Sequence, residues 1–154
     1  MTIRHDRTLP PTNLTYGRMR MALYDLAPQL TVASAIPPDG MCGCYSEETQ
    51  TILIDRRLTY TAKRCTLVHE LVHWKHGDDS CSQKWEARAR MEAARLLISP
   101  AEYALAERAY DADPWLMADV LDVTVHVLND YRSLLRDSVA ASAGREALRQ
   151  MSAE

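Results

Sequence analysis

The stretch Thr61-Ala62-Lys63-Arg64-Cys65-Thr66-Leu67-Val68-His69-Glu70-Leu71-Val72-His73-Trp74-Lys75-His76-Gly77 is the part of the chain around which the rest must be arranged. Plotted at about 100° per residue, Leu67, Leu71 and Trp74 fall on one side of a helix. His69, His73 and His76 fall opposite, Val68 and Val72 fill a flank, and Arg64 and Lys75 leave a narrow polar stripe. A helix apolar on most sides is buried between layers, so the histidines belong to the interior. Thr59 or Thr61 supplies an N-terminal cap and Gly77 a C-terminal stop, so the helix should end near His76.

Within it, His69-Glu70-Leu71-Val72-His73 is a His-Glu-x-x-His motif. Residues four apart lie one turn apart on the same face, so the two imidazoles can bind one zinc ion with Glu70 beside them as general base. Two core histidines and a surface glutamate would give the same five letters. Against that reading, two histidines and a carboxylate side by side are costly to bury without a partner. A catalytic zinc also needs a third protein ligand and one open position. After a polar loop, a second helix is predicted from about Gln83 to Ile98, with Glu86, Ala89, Arg90, Ala93 and Leu97 on one face. Its antiparallel return would bring Glu86 beside His69 and His73. Residues 78–82 form the loop.

Upstream, Tyr16, Met19, Leu23 and Leu26 recur at helical spacing over residues 13–27, capped by Thr12 or Asn13 and ended by Pro28. Three extended stretches follow, residues 30–35, 41–45 and 51–55, separated by Pro37-Pro38-Asp39-Gly40 and by Ser46-Glu47-Glu48-Thr49. The short connections predict an antiparallel meander. Downstream, Ser99-Pro100-Ala101-Glu102 reads as a capping box, Asp113-Pro114 opens another helix, and Thr124 caps a last one through about Arg136. The organisation expected is a flexible arm (1–12), a single domain (13–137) and a disordered tail (138–154).

The motifs resemble those of the ImmA/IrrE family of metallopeptidases. The resemblance is carried by Leu67-Val68-His69-Glu70-Leu71-Val72-His73, by Glu86-x-x-Ala89-x-x-x-Ala93-Ala94-x-x-Leu97-Ile98, and by Gly43-x-Tyr45 and Ile52-x-Ile54-Asp55 upstream. Ala118-x-x-Leu121-x-Val123 and Tyr131-Arg132-x-x-Leu134-Leu135 extend it, so that it covers roughly residues 14–136. It implies an α+β, zincin-like fold: a small antiparallel three-stranded sheet packed on the buried motif helix, with further helices C-terminal. It also implies that His69, His73 and Glu86 bind zinc, that Glu70 is the catalytic base, and that the protein is an endopeptidase. Its substrate would be a protein, a repressor-type regulator of the kind such enzymes cleave in bacteria and their phages. Two positions depart from the pattern. Family members often carry Asn or Asp where Arg90 stands, and a large apolar residue where Glu92 stands. Arg90 could pair with Glu86 and compete for it, whereas Glu92 is expected to face solvent. Manganese or cobalt could also be held by this donor set.

Other features bound the function. The net charge is −3, 47% of residues are hydrophobic and 25% are charged, which fits a globular domain and gives no electrostatic footprint for nucleic acid. No run approaches the roughly 18 apolar residues of a membrane span, and the N-terminal residues lack the apolar stretch of a signal peptide, so a cytoplasmic protein is expected. Cys42, Cys44, Cys65 and Cys81 include no Cys-x-x-Cys pair and read as plain thiols, with redox sensitivity of Cys65 as the minor reading. His76, His126 and Tyr45 are weaker candidates for the site, and His5 carries no case. Residues 118–135 could form a DNA-binding helix-turn-helix, but residues 111–137 hold six aspartates against Arg132 and Arg136. The remaining alternative is a silent family member that binds a regulator without cutting it.

Overall fold

The computed structural model describes residues 7–79 and 82–153. Among them the order is α1 (Tyr16–Leu26), β1 (Thr31–Ala35), a 3₁₀ turn (Pro38–Gly40), β2 (Gly43–Ser46), β3 (Thr51–Asp55), α2 (Tyr60–His76), α3 (Gln83–Leu97), α4 (Pro100–Ala109), α5 (Pro114–Val120) and α6 (Val125–Met151). The architecture is α+β.

The sheet is mixed, not the antiparallel meander expected. Its order is β1-β3-β2, with β1 parallel to β3 and β2 antiparallel to it. Ile52 and Ile54 of β3 are fully buried, which suits a central strand. β2 forms a hairpin with β3, so β1 must pair on the other side. The chain between β1 and β2 then crosses two strand spacings, about 9.6 Å. Pro37-Pro38-Asp39-Gly40 is used for that crossing, with the 3₁₀ turn inside it, rather than for a hairpin.

α2 lies between the sheet and α3, and its buried residues are Arg64, Cys65, Leu67, Val68, Glu70, Leu71, Val72 and Trp74. Thr59 caps its N-terminus, accepting a hydrogen bond from the Ala62 amide, and Gly77 ends it at φ +67. The left-handed turn is nearly free for glycine and strained for other residues. Arg64 is not part of a solvated stripe. Its guanidinium donates to the carbonyls of Thr12 (2.9 Å), Leu14 (3.1 Å) and Asp122 (2.6 Å), tying the N-terminal segment and the α5–α6 turn to α2.

Two boundary expectations are corrected. The first six residues of the expected arm, including His5, lie outside the described residues. Residues 7–12 are packed: Arg7 donates to Glu47 and to the Trp74 carbonyl, Thr12 to the Leu96 carbonyl, and Leu9 rests on the core. The expected disordered tail is instead helical to Met151, although exposed along its length. Ala140, Ala141, Ala143 and Ala147 are strong helix formers, and α6 needs no new nucleus to continue through them. In the α5–α6 pair Leu128 and Tyr131 are buried, and α6 packs on α3. No helix among the described residues is long and apolar enough to cross a membrane.

Gly43 sets how closely β2 approaches α2. A Cβ there would lie 2.6 Å from Thr66 Cγ2, 2.9 Å from the Leu53 carbonyl oxygen and 3.4 Å from Glu70 Cγ. Because one obstacle is backbone, the strand itself must shift. Gly43→Ala is therefore expected to cost about 1–3 kcal/mol, read as a drop of several degrees in the thermal unfolding midpoint. An unchanged midpoint would contradict this close approach.

Candidate metal centre

α2 and α3 pack against each other, and their facing turns bring three ligand-type side chains together. His69 Nε2 lies 2.9 Å from Glu86 Oε1, His73 Nε2 3.1 Å from Glu86 Oε2, and the two Nε2 atoms 3.2 Å apart. Among the described residues these three form the cluster whose ligand atoms all lie within 4.8 Å of one another. At zinc–nitrogen distances of 2.0–2.1 Å, two donors on a tetrahedral ion are about 3.3 Å apart. The spacing and the donor chemistry, two imidazoles and a carboxylate, therefore fit one such ion. Glu86 is half exposed while the histidine side chains are largely covered, so the cluster opens on the Glu86 side.

The electrostatics follow from burial and proximity. Burial alone would lower the His69 pKa, but the hydrogen bond to Glu86 and the nearby Glu70 charge raise it overall. The His69 hydrogen bond is the largest influence holding the Glu86 carboxyl at about 2. Glu70 is buried and its pKa is raised, mainly by loss of hydration, with His69 and His73 pulling the other way.

His73 has a further partner that the sequence reading left in the loop. Asp78 Oδ2 lies 2.8 Å from His73 Nδ1, and Arg88 Nη2 lies 2.6 Å from both Asp78 oxygens. Burial pushes the Asp78 carboxyl up, but hydrogen bonds from Arg88 and His73 outweigh it and hold the pKa below the ordinary value. An aspartate directly after a helix-stopping glycine, with an arginine two residues beyond Glu86, was the available signal.

Arg90 does not seize Glu86. Its Nη2 lies 2.6 Å from Asp130 Oδ1, so α6 draws it away. Glu92 does not simply face solvent either: it bonds Lys75 Nζ (2.8 Å) and His76 Nε2 (2.7 Å), which takes His76 out of the cluster. His126 is exposed in the first turn of α6, outside the cluster. Cys65 is buried, and burial raises its thiol pKa, which disfavours the reactive thiolate. Cys42 is exposed, and Cys81 lies outside the described residues.

Tyr45 belongs to a separate polar network. Its hydroxyl donates to Glu47 and accepts from Gln50 (3.0 Å), while Arg7 grips Glu47 with two bonds of 2.8 and 2.9 Å. Burial is the main reason that the Tyr45 pKa rises. Arg7 is the main reason that the Glu47 pKa falls from 4.5 to about 2.

The model of one known family, described as the IrrE N-terminal-like domain (Peptidase_M78), matches residues 37–129, more than half of the 154-residue chain. That span includes β2, β3, α2, α3 and all the cluster residues. No curated protein and no solved structure matches the chain.

The Arg7–Glu47 clamp carries a pH signature. A depressed folded pKa contributes stability that is present above the unfolded value near 4.5 and is lost as pH falls towards about 2. Glu47→Gln should be less stable than wild type at pH 7, and the gap should shrink over that acidic interval. Thermal melts in a pH series measure it, and a pH-independent gap would contradict the clamp.

Proposed function

The chain belongs to the IrrE N-terminal-like domain family of peptidases, and from that premise we propose that it is a zinc-dependent endopeptidase with a zincin-like active site. The observation that carries the reading is the convergence of His69, His73 and Glu86 from two packed helices, with Glu70 buried next to the first of them. His69 Nε2, His73 Nε2 and a Glu86 oxygen would hold the ion. When bound, zinc supplies a Lewis acid that acidifies the attacking water and polarises the scissile carbonyl.

The protein's own groups do the rest. The Glu70 carboxylate takes a proton from the water as the new carbon–oxygen bond forms. It then delivers that proton to the amide nitrogen as the carbon–nitrogen bond breaks. Burial raises the Glu70 pKa, and a carboxyl made more basic in this way is a better proton acceptor in the first half of this task. β2 supports a role in substrate binding. It is an edge strand, and Gly43 brings it close to Glu70, so an extended peptide can add to it by main-chain pairing.

The substrate class, a repressor-type regulator in a bacterial or phage setting, rests on the family resemblance. The pairing of Arg90 with Asp130 leaves Glu86 available as a ligand, which favours the working enzyme over a silent binder. A repressor-type regulator, sought first among the neighbouring genes, is the substrate to test. Wild type should cleave it, and Glu70→Gln should retain bound zinc while losing at least about 100-fold in cleavage rate. Cleavage by Glu70→Gln at the wild-type rate would remove the assigned base. Binding of the regulator by zinc-loaded wild type without cleavage would favour the silent reading.

A further inference from the structure

We propose that Asp78, locked by Arg88, is a positioning residue that fixes the tautomer and ring orientation of His73, so that the turn between α2 and α3 tunes the metal affinity of the cluster. This inference rests on the metal-binding reading above.

The turn is built to return Asp78 onto the helix it has just left. Gly77, at φ +67, lets the Asp78 amide donate to the His73 carbonyl (3.1 Å), and the Asp78 carboxylate then meets the ring of the same histidine. The Asp78 side chain is 5% exposed, so it has little freedom to turn elsewhere. An ionised carboxylate only accepts hydrogen bonds. The Nδ1 of His73 therefore carries the ring proton, and the lone pair of its Nε2 points at His69 and Glu86. Arg88 completes the lock by holding both Asp78 oxygens.

α3 thus contributes twice, with Glu86 to the cluster and with Arg88 behind it. His69 has no comparable carboxylate on its second ring nitrogen among the described residues. Arg90 cannot take the orienting role, since it has no acceptor and is held by Asp130. His73 is the anchored ligand of the three.

The test is zinc affinity, by competition with a chromophoric chelator, of full-length wild type, Asp78→Ala, Asp78→Asn and Arg88→Met. Cobalt absorption spectra of each and circular dichroism melts accompany it. Asp78→Ala should lose 10- to 100-fold in affinity and shift the cobalt bands. Asp78→Asn keeps an acceptor oxygen and should recover part of that loss. Arg88→Met should weaken binding less, in the same direction. A folded Asp78→Ala with affinity within about twofold of wild type and an unshifted cobalt spectrum would overturn the proposal. If Asp78→Ala fails to fold, wild-type affinity in both other variants would overturn it equally. Wild type that holds neither zinc nor cobalt would overturn the metal site itself, and this inference with it.

Discussion

The governing constraint is the burial of polar chemistry on α2. This helix is covered by the sheet on one side and α3 on another, yet it carries His69, Glu70 and His73 within two turns. Burying such groups is expensive unless each finds a partner. Neighbouring elements satisfy the two imidazoles: Glu86 of α3 meets both, and Asp78 meets the far nitrogen of His73. A cluster that is costly as a set of core residues becomes sensible as a site whose members share one partner.

The surroundings hold α2 in register with those partners. Arg64 gathers three backbone carbonyls from two distant segments, and charge-assisted bonds of this kind contribute about 1.5–3 kcal/mol each before burial costs are counted. Removing Arg64 would take the donor from all three carbonyls at once. The Arg90–Asp130 pair is of another kind. Arg90 is 52% exposed, so the pair adds at most about 1 kcal/mol. Its consequence is positional: it keeps a cation attached to α6 instead of to Glu86.

Much of this was legible in the sequence because helix chemistry is local. The periodicity around His69 located the buried helix. Thr59, Gly77, Ser99, Asp113 and Thr124 marked its ends and those of later helices, and Glu86 was expected beside the two histidines, where it lies. Strand order was not legible. Residues 30–55 fit either a meander or the observed mixed sheet, and the choice depends on packing between β3 and α2 that no short-range pattern encodes. Arg64, Arg90 and Glu92 were misassigned for a related reason. Long side chains reach partners 16 to 58 residues away, and helical phase alone says nothing of them. The tail erred differently: small polar residues suggested disorder, while the alanines simply prolonged α6.

The most direct measurement is X-ray absorption at the zinc edge of the purified protein, alongside its metal content. The account predicts about one zinc per chain and a first shell of nitrogen and oxygen at about 2.0–2.2 Å, with two imidazoles contributing. A sulfur shell at about 2.3 Å, placing the ion on cysteines, would contradict it. So would a protein purified with zinc available in the medium that carries none.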